Sequence, residues 1–205
     1  MATLSVPPGR MGRLWVLNRL DLAERGVTLL EQKLHSLIAL QEALHRKAEQ
    51  SGHDWQRACR EADMWGLRAV LLGGHNAIEL AVTTERASVT VQWAVTAGVR
   101  YPGAATCVLP REHDPAGIYS TSASLQAARA YRAALDAAAE CAAAQSAVKT
   151  IEREVRTTRL RVRALSRHWL PKLRQELARI ELELEEEDRD GAIRVRLVGR
   201  QRGLA

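Results

Sequence analysis

The residues able to do acid–base, metal or nucleophilic chemistry are few and scattered. Six histidines stand at 35, 45, 53, 75, 113 and 168. Imidazoles that share a metal ion on a helix face sit three or four residues apart, and no pair here has that spacing, so no metal site is expected. No C-x-x-C or H-E-x-x-H run is present. Cys59, Cys107 and Cys141 are far apart and odd in number, which points to a reducing, cytoplasmic setting without a disulfide framework. His113, between Glu112 and Asp114, is one acid–base cluster, able to pass protons if held in a cleft. A solvated loop explains it better. There is no nucleophile-elbow spacing and no G-x-x-x-x-G-K-[ST] loop to cradle phosphate. No catalytic residue, cofactor-binding residue or metal ligand is therefore assigned, and an enzyme with a site around His113 ranks last among the readings.

Charge is more informative. Basic residues number 30 against 24 acidic ones, a net charge of +6, which permits an anionic partner without demanding one. The charges are banded. Residues 152–167 hold Arg153, Arg156, Arg159, Arg161, Arg163 and Arg167 against Glu152 and Glu154. Residues 181–190 hold five Glu and two Asp against Arg189. The last fifteen residues add Arg194, Arg196, Arg200 and Arg202 and no acid. Arginines at this spacing can track phosphates. The acidic band on the same run and the absence of interleaved aromatics to stack bases weigh against nucleic acid. A solvated helix surface is the plain alternative. The functional one is a shaft that meets different partners at different heights.

The positioning elements follow from the apolar pattern. Aromatics are 4% of the 205 residues and Phe is absent, so the core must be built from Ala, Leu and Val, as when helices pack on helices. No stretch of ~20 uncharged apolar residues is present to span a membrane. The N-terminal sequence lacks the charged start and apolar core of a signal peptide, so none is expected.

Between Leu14 and Leu72 there is no proline, and apolar residues recur in alternating steps of three and four. The seam includes Leu20, Val27, Leu30, Leu34, Leu37, Leu44, Trp55 and Trp65, the heptad of a coiled coil. A helix of ~55–60 residues spans ~85 Å at 1.5 Å per residue. Gly73-Gly74 marks its end. A second seam, N-capped within Ser120–Ser124, includes Val155, Val162, Leu165, Trp169, Leu177, Ile180 and Leu184. Steps of four run from Leu165 to Leu177, a stutter that contains Pro171, and a bend rather than an end is expected there. Gly26 is the matching soft point on the first helix, and the two are expected to act as kinks. Two seams of equal length imply an antiparallel hairpin in which paired residue numbers add to about 198. That register sets Trp55 against Cys141–Ala144, Trp65 against Ala130–Ala134, and Gln41 opposite Thr158.

Residues 75–119 read differently. Val89, Val91, Trp93 and Val95 alternate with Ser88, Thr90, Gln92 and Ala94, a strand period. Thr106–Leu109, bounded by Pro102-Gly103 and Pro110, is the expected return strand, and 111–119 reads as loop. The fold class is therefore mainly α: a long antiparallel two-helix coiled-coil hairpin with a small α+β head, a β-hairpin, inserted at the turn. The expected divisions are 1–74 for the first helix, 75–122 for the head, 123–190 for the second helix and 191–205 for a basic tail.

Pro8-Gly9-Arg10-Met11, Leu14, Leu20, the run Leu22-Ala23-Glu24-Arg25-Gly26-Val27 and the block Leu29-Leu30-Glu31-Gln32-Lys33 resemble the N-terminal helix of the D subunit of V-type and archaeal-type rotary ATPases. Thr158-Arg159-Leu160-Arg161-Val162-Arg163-Ala164-Leu165 through Leu170-Pro171 resembles that family's T-x-R-R-V-N-A-L-E-x-x-x-I-P, and the acidic run with Arg189 its continuation. Gly117-Ile118-Tyr119 and Ala127–Tyr131 echo its return into the second helix. The chain departs from the pattern at Gly9, Arg163 and Ser166, where the family has Thr, Asn and Glu.

The resemblance implies a non-catalytic central-stalk rotor subunit of a V/A-type proton- or sodium-translocating ATPase or ATP synthase, without a cofactor. Its tip, with both termini, would enter the ring of A and B subunits through Arg10, Arg13, Leu14, Glu187, Arg194 and Arg196. Its flank would bind the F subunit, and its turn end would seat on the funnel subunit over the membrane ring. It would be cytoplasmic, peripheral on the inner face of the plasma membrane, without membrane insertion, nucleic acid or homo-oligomerisation in the complex. A cytoplasmic coiled-coil interaction module is the alternative, and a nucleic-acid-binding helical hairpin a weaker one.

Overall fold

The computed structural model of the chain describes residues 6–81, 86–109 and 119–202. The order of elements is helix α1 (Gly9–Glu79), strands β1 (Ser88–Thr96) and β2 (Val99–Val108), helix α2 (Ser122–Ala164), a π-helical turn (Leu165–Trp169) and helix α3 (Leu170–Arg202). The fold is mainly α, with two long helical stretches that in chain order flank a two-stranded antiparallel sheet. His113 and the expected loop at 111–118 lie outside the described residues.

α1 starts at Gly9, earlier than the first seam residue. The preceding Val6–Pro8 segment folds onto its first turn. A Cβ on Gly12 would stand 2.0 Å from the Pro7 carbonyl oxygen, so only glycine admits that contact. At the other end Gly74 has φ 69° and ψ −177°, a conformation open essentially to glycine alone. The regular helix breaks there, at the expected cap, and a short helical stretch continues to Glu79.

α2 is opened by a reciprocal cap. The Ser124 N–H donates to Thr121 Oγ1 at 3.1 Å, and the Thr121 N–H donates to Ser124 Oγ at 3.2 Å. Two donors that a helix start leaves orphaned are thus satisfied by one pair of hydroxyls. The stutter resolves as the π turn. The Leu170 N–H donates to the Leu165 carbonyl, one residue further back than in an α-helix. The irregularity lies just before Pro171, whose ring would otherwise crowd the carbonyl of Arg167 and which has no N–H to give it. The helix then runs on to Arg202, so residues 191–202 are helical. Ala192, Arg194, Arg196 and Leu197 favour that continuation.

The β-hairpin is longer than expected. Ala97 and Gly98 both have positive φ and form a two-residue turn, so β2 begins at Val99 and not at Thr106. Pro102-Gly103 lies inside the strand, because a bulge between Gln92 and Trp93 absorbs the extra residue.

Two compact units are distinguishable: residues up to Leu34 with those from Thr157 onward, and His35–Arg156. In the first unit the core is Val16, Ala23, Leu170, Leu173 and Ile180, with Leu20, Val27, Trp169, Leu177 and Leu184 against it. Arg13–Glu181 and Glu24–Arg174, each 2.9 Å, show that the helices run antiparallel, near the expected register. Leu30, Leu34, Val162 and Leu165 are half-buried. Thr158 is completely buried, and its hydroxyl has no hydrogen-bond partner among the described residues. A buried unsatisfied hydroxyl costs about 1–3 kcal/mol, so Thr158→Val is expected to stabilise the protein by about 1 kcal/mol or more in denaturant melts.

In the second unit Leu37, Leu44, Ile151 and Val155 are buried, and His45 meets Glu152 at 3.2 Å. Trp65 packs on the cluster of Ala69, Ala123 and Ala127. Trp55 departs from the expected seam. Its side chain is 39% exposed and is not a core residue. Cys141, Ala144 and Ala147 of α2 are buried. A second face of α2, Ala139 and Ala143, packs against Ala105 and Cys107 of β2. Lys47 Nζ of α1 donates to the Gly103 carbonyl at 2.9 Å. The hairpin therefore packs along the helices of its own unit.

Candidate functional site: exposed surfaces for partners

Within the first unit, Arg10 reaches Asp188 at 3.7 Å. α1 begins one residue earlier, so the last turns of α3, from Gly191 on, extend beyond the start of their partner helix. Residues 191–197 are exposed throughout. Ile193, Val195 and Leu197 are 54%, 73% and 56% exposed, interleaved with Arg194 and Arg196. Across the same end, Met11 and Leu14 are also exposed. A single helix that displays apolar and cationic side chains on all sides is stable in an assembly only when another surface covers it.

The six residues expected at this tip are all exposed. Arg10 and Arg13 are engaged by Asp188 and Glu181, so the acidic band is partly neutralised within the unit. Further down, the Glu176 hydrogen bond and charge, then Glu183, raise the pKa of Arg179 still higher, so it stays cationic. These pairs are solvent-exposed and contribute little to stability.

The second unit has its own apolar surface, near the end of α1. Met64, Leu67 and Leu71 recur at helical spacing and are exposed, Leu71 by 76%. Beside them a cavity of about 380 Å³ is lined by Gly66, Ala69, Val70, Ile78, Ala127 and Tyr131. Its walls are small and apolar, so it suits a hydrocarbon side chain and offers no catalytic constellation.

The described residues contain no group of three His, Cys, Asp or Glu placed to hold a metal ion. Cys141 is buried, Cys59 and Cys107 are half-buried, and all three are free thiols. No described helix is long and apolar enough to cross a membrane. The sequence singles out Arg194 and Arg196 by charge but not the exposed apolar residues beside them. The alternation Ile193-Arg194-Val195-Arg196-Leu197 is the available signal, hidden because it matches neither seam.

Residues 15–200 match the family model for the D subunit of ATP synthase. The V-type ATP synthase D subunit of Anaeromyxobacter sp. (strain Fw109-5) is 32% identical over 196 residues, covering 93% of this chain and 91% of that protein. The A-type ATP synthase D subunit of Halorubrum lacusprofundi is 30% identical, with 94% and 87% covered. That of Pyrococcus horikoshii is 27% identical, with 95% and 94% covered. The match spans both units, the β-hairpin and all but the last turn of α3, and the chain belongs to the family of ATP synthase D subunits.

Proposed function

We infer that this chain is the central-stalk rotor subunit of a V/A-type ion-translocating ATPase or ATP synthase and passes torque between the ring of A and B subunits and the membrane rotor. The observation that carries the reading is the family match over residues 15–200, on a chain whose α3 ends in an exposed apolar and cationic helix. The subunit performs no bond chemistry of its own. It acts through surfaces. Arg10, Arg13, Leu14, Glu187, Arg194 and Arg196, with Ile193, Val195 and Leu197, are assigned to the inner wall of the A/B ring. Leu67 and Leu71 are assigned to the funnel subunit over the membrane ring, and the flank to the F subunit. The working location is the cytoplasmic face of the plasma membrane, as a peripheral member of the complex.

Torque transmission depends on torsional stiffness, and Gly26 and Pro171 are assigned as points of compliance. A Cβ on Gly26 would meet nothing within 4 Å. Gly26→Ala is therefore expected to raise stability by about 1 kcal/mol through helix propensity alone, and to slow amide exchange over the adjoining turns. Thermal melts with peptide-resolved exchange check both.

The test of the assignment is affinity purification of the tagged chain from its native cytoplasm and membranes, followed by mass spectrometry. Recovery of the nucleotide-binding A and B subunits with a small F-like protein supports the reading. Recovery of nucleic acid or an unrelated partner in their place refutes it.

A further inference from the structure

Among the described residues nothing pairs with the outer edge of β1, which lacks the features that normally protect one. Among the described residues the sheet has two strands, so each has one edge without a strand partner. The β2 edge is occupied by the protein itself. Lys47 takes the Gly103 carbonyl at 2.9 Å, the Asp136 carboxylate accepts from the Cys107 N–H at 3.4 Å, and Pro102 and the bulge interrupt what remains. The described residues offer the β1 edge nothing comparable. Ser88–Thr96 contains no charged residue, no proline and no bulged residue of its own. Natural edges are blunted by charges, prolines or bulges, since a bare row of N–H and C=O groups is a template for another strand.

The register shows which groups face outward. Trp93 pairs with Pro102, which has no N–H, so this is a pair whose backbone groups point away from each other. Alternation then turns the N–H and C=O of Val95 outward as well. The side chains on these positions are apolar and open. Val89, Val91, Trp93 and Val95 are between 38% and 67% exposed. The Arg100 guanidinium lies 4.6 Å over the Trp93 ring. Residues 86–109 contain Arg86 and Arg100 and no acidic residue.

We propose that β1 is a strand-addition site, which receives an extended, acid-bearing segment of a partner subunit of the complex along the Ser88–Thr96 edge. Backbone pairing supplies affinity over a strand of nine residues, about 30 Å long. The apolar stripe accepts alternate side chains of the incoming segment, and Arg86 and Arg100 select carboxylates. The inference rests on the rotor reading above, since the partner belongs to that complex.

The test is amide hydrogen exchange on the full chain, alone and in the affinity-purified complex. Residues 88–96 are expected to exchange about tenfold slower or more in the complex, with the α2 stretch 139–148 unchanged. Val95→Pro removes one outward N–H without touching the β1–β2 ladder, and the variant is expected to co-purify with the ring while losing that protection. Equal exchange of 88–96 in the free chain and in the complex overturns the proposal and leaves the rotor reading intact. Protection that appears in the free chain as its concentration rises also overturns it, because the occupant is then a second copy. A preparation without A and B subunits overturns the rotor reading, and the proposal with it.

Discussion

Changing Ile193, Val195 and Leu197 together to alanine is expected to leave the chain folded and to abolish its hold on the A/B ring. The three side chains are more than half exposed, so they contribute almost nothing to the stability of the free chain. Surface substitutions of this kind usually move stability by less than about 0.5 kcal/mol, and alanine keeps the helix propensity high. Against the ring the balance changes. Burying a Val, Leu or Ile side chain contributes about 1.5–3 kcal/mol, and alanine gives up most of that. Three such losses amount to several kcal/mol, and each 1.4 kcal/mol is a factor of about ten in affinity. The triple variant should therefore bind the ring about a thousandfold more weakly, with unchanged thermal melting. Titration of labelled chain onto purified ring measures it, and an unaltered affinity would show that the apolar tip residues face solvent in the complex.

Leu173→Ala is expected to cost about 2–5 kcal/mol of folding stability, the range for truncating a fully buried leucine. Leu173 has no exposure and belongs to the first-unit core with Val16, Leu170 and Ile180. Domain stabilities are about 5–15 kcal/mol, so one truncation removes a large share. The neighbouring Leu182→Ala is the control. Leu182 is 57% exposed on the same helix and should change stability by less than about 0.5 kcal/mol. Denaturant midpoints of the two variants check the contrast. Equal losses would mean that the packing of the first unit differs from the one described.

Much of the fold is readable in the sequence because a heptad is a strong, repetitive signal. The seam residues from Leu20 to Leu44 and from Val155 to Leu184 fall at buried or half-buried positions. The antiparallel pairing also follows from the two equal seams, and the ion pairs Arg10–Asp188 and Glu24–Arg174 realise it within the first unit. What is not readable depends on tertiary context. Trp55 keeps the heptad step but is 39% exposed. The alanine run of α2 carries one heptad face, and sequence alone gives no reason to assign its second face, Ala139 and Ala143, to a β-strand. Pro102-Gly103 reads as the boundary before a short return strand, whereas it lies inside β2, where the proline is tolerated beside a bulge. The stutter is visible as a run of steps of four, but its resolution into a π turn before Pro171 is a property of the backbone.

The surfaces divide in the same way. The charged members of the tip are legible because charge stands out by composition. Ile193, Val195 and Leu197 are not, because isolated apolar residues carry meaning only when they are known to be exposed.

The central claim is that this chain turns inside a fixed ring. The most direct measurement is single-molecule rotation, with the A/B ring immobilised and a bead tethered through Glu61→Cys, an exposed position on α1, in a background with Cys59, Cys107 and Cys141 replaced. The account predicts unidirectional rotation of the bead during ATP hydrolysis, in steps that follow the threefold ring. A bead that stays fixed while the same complexes hydrolyse ATP would contradict it.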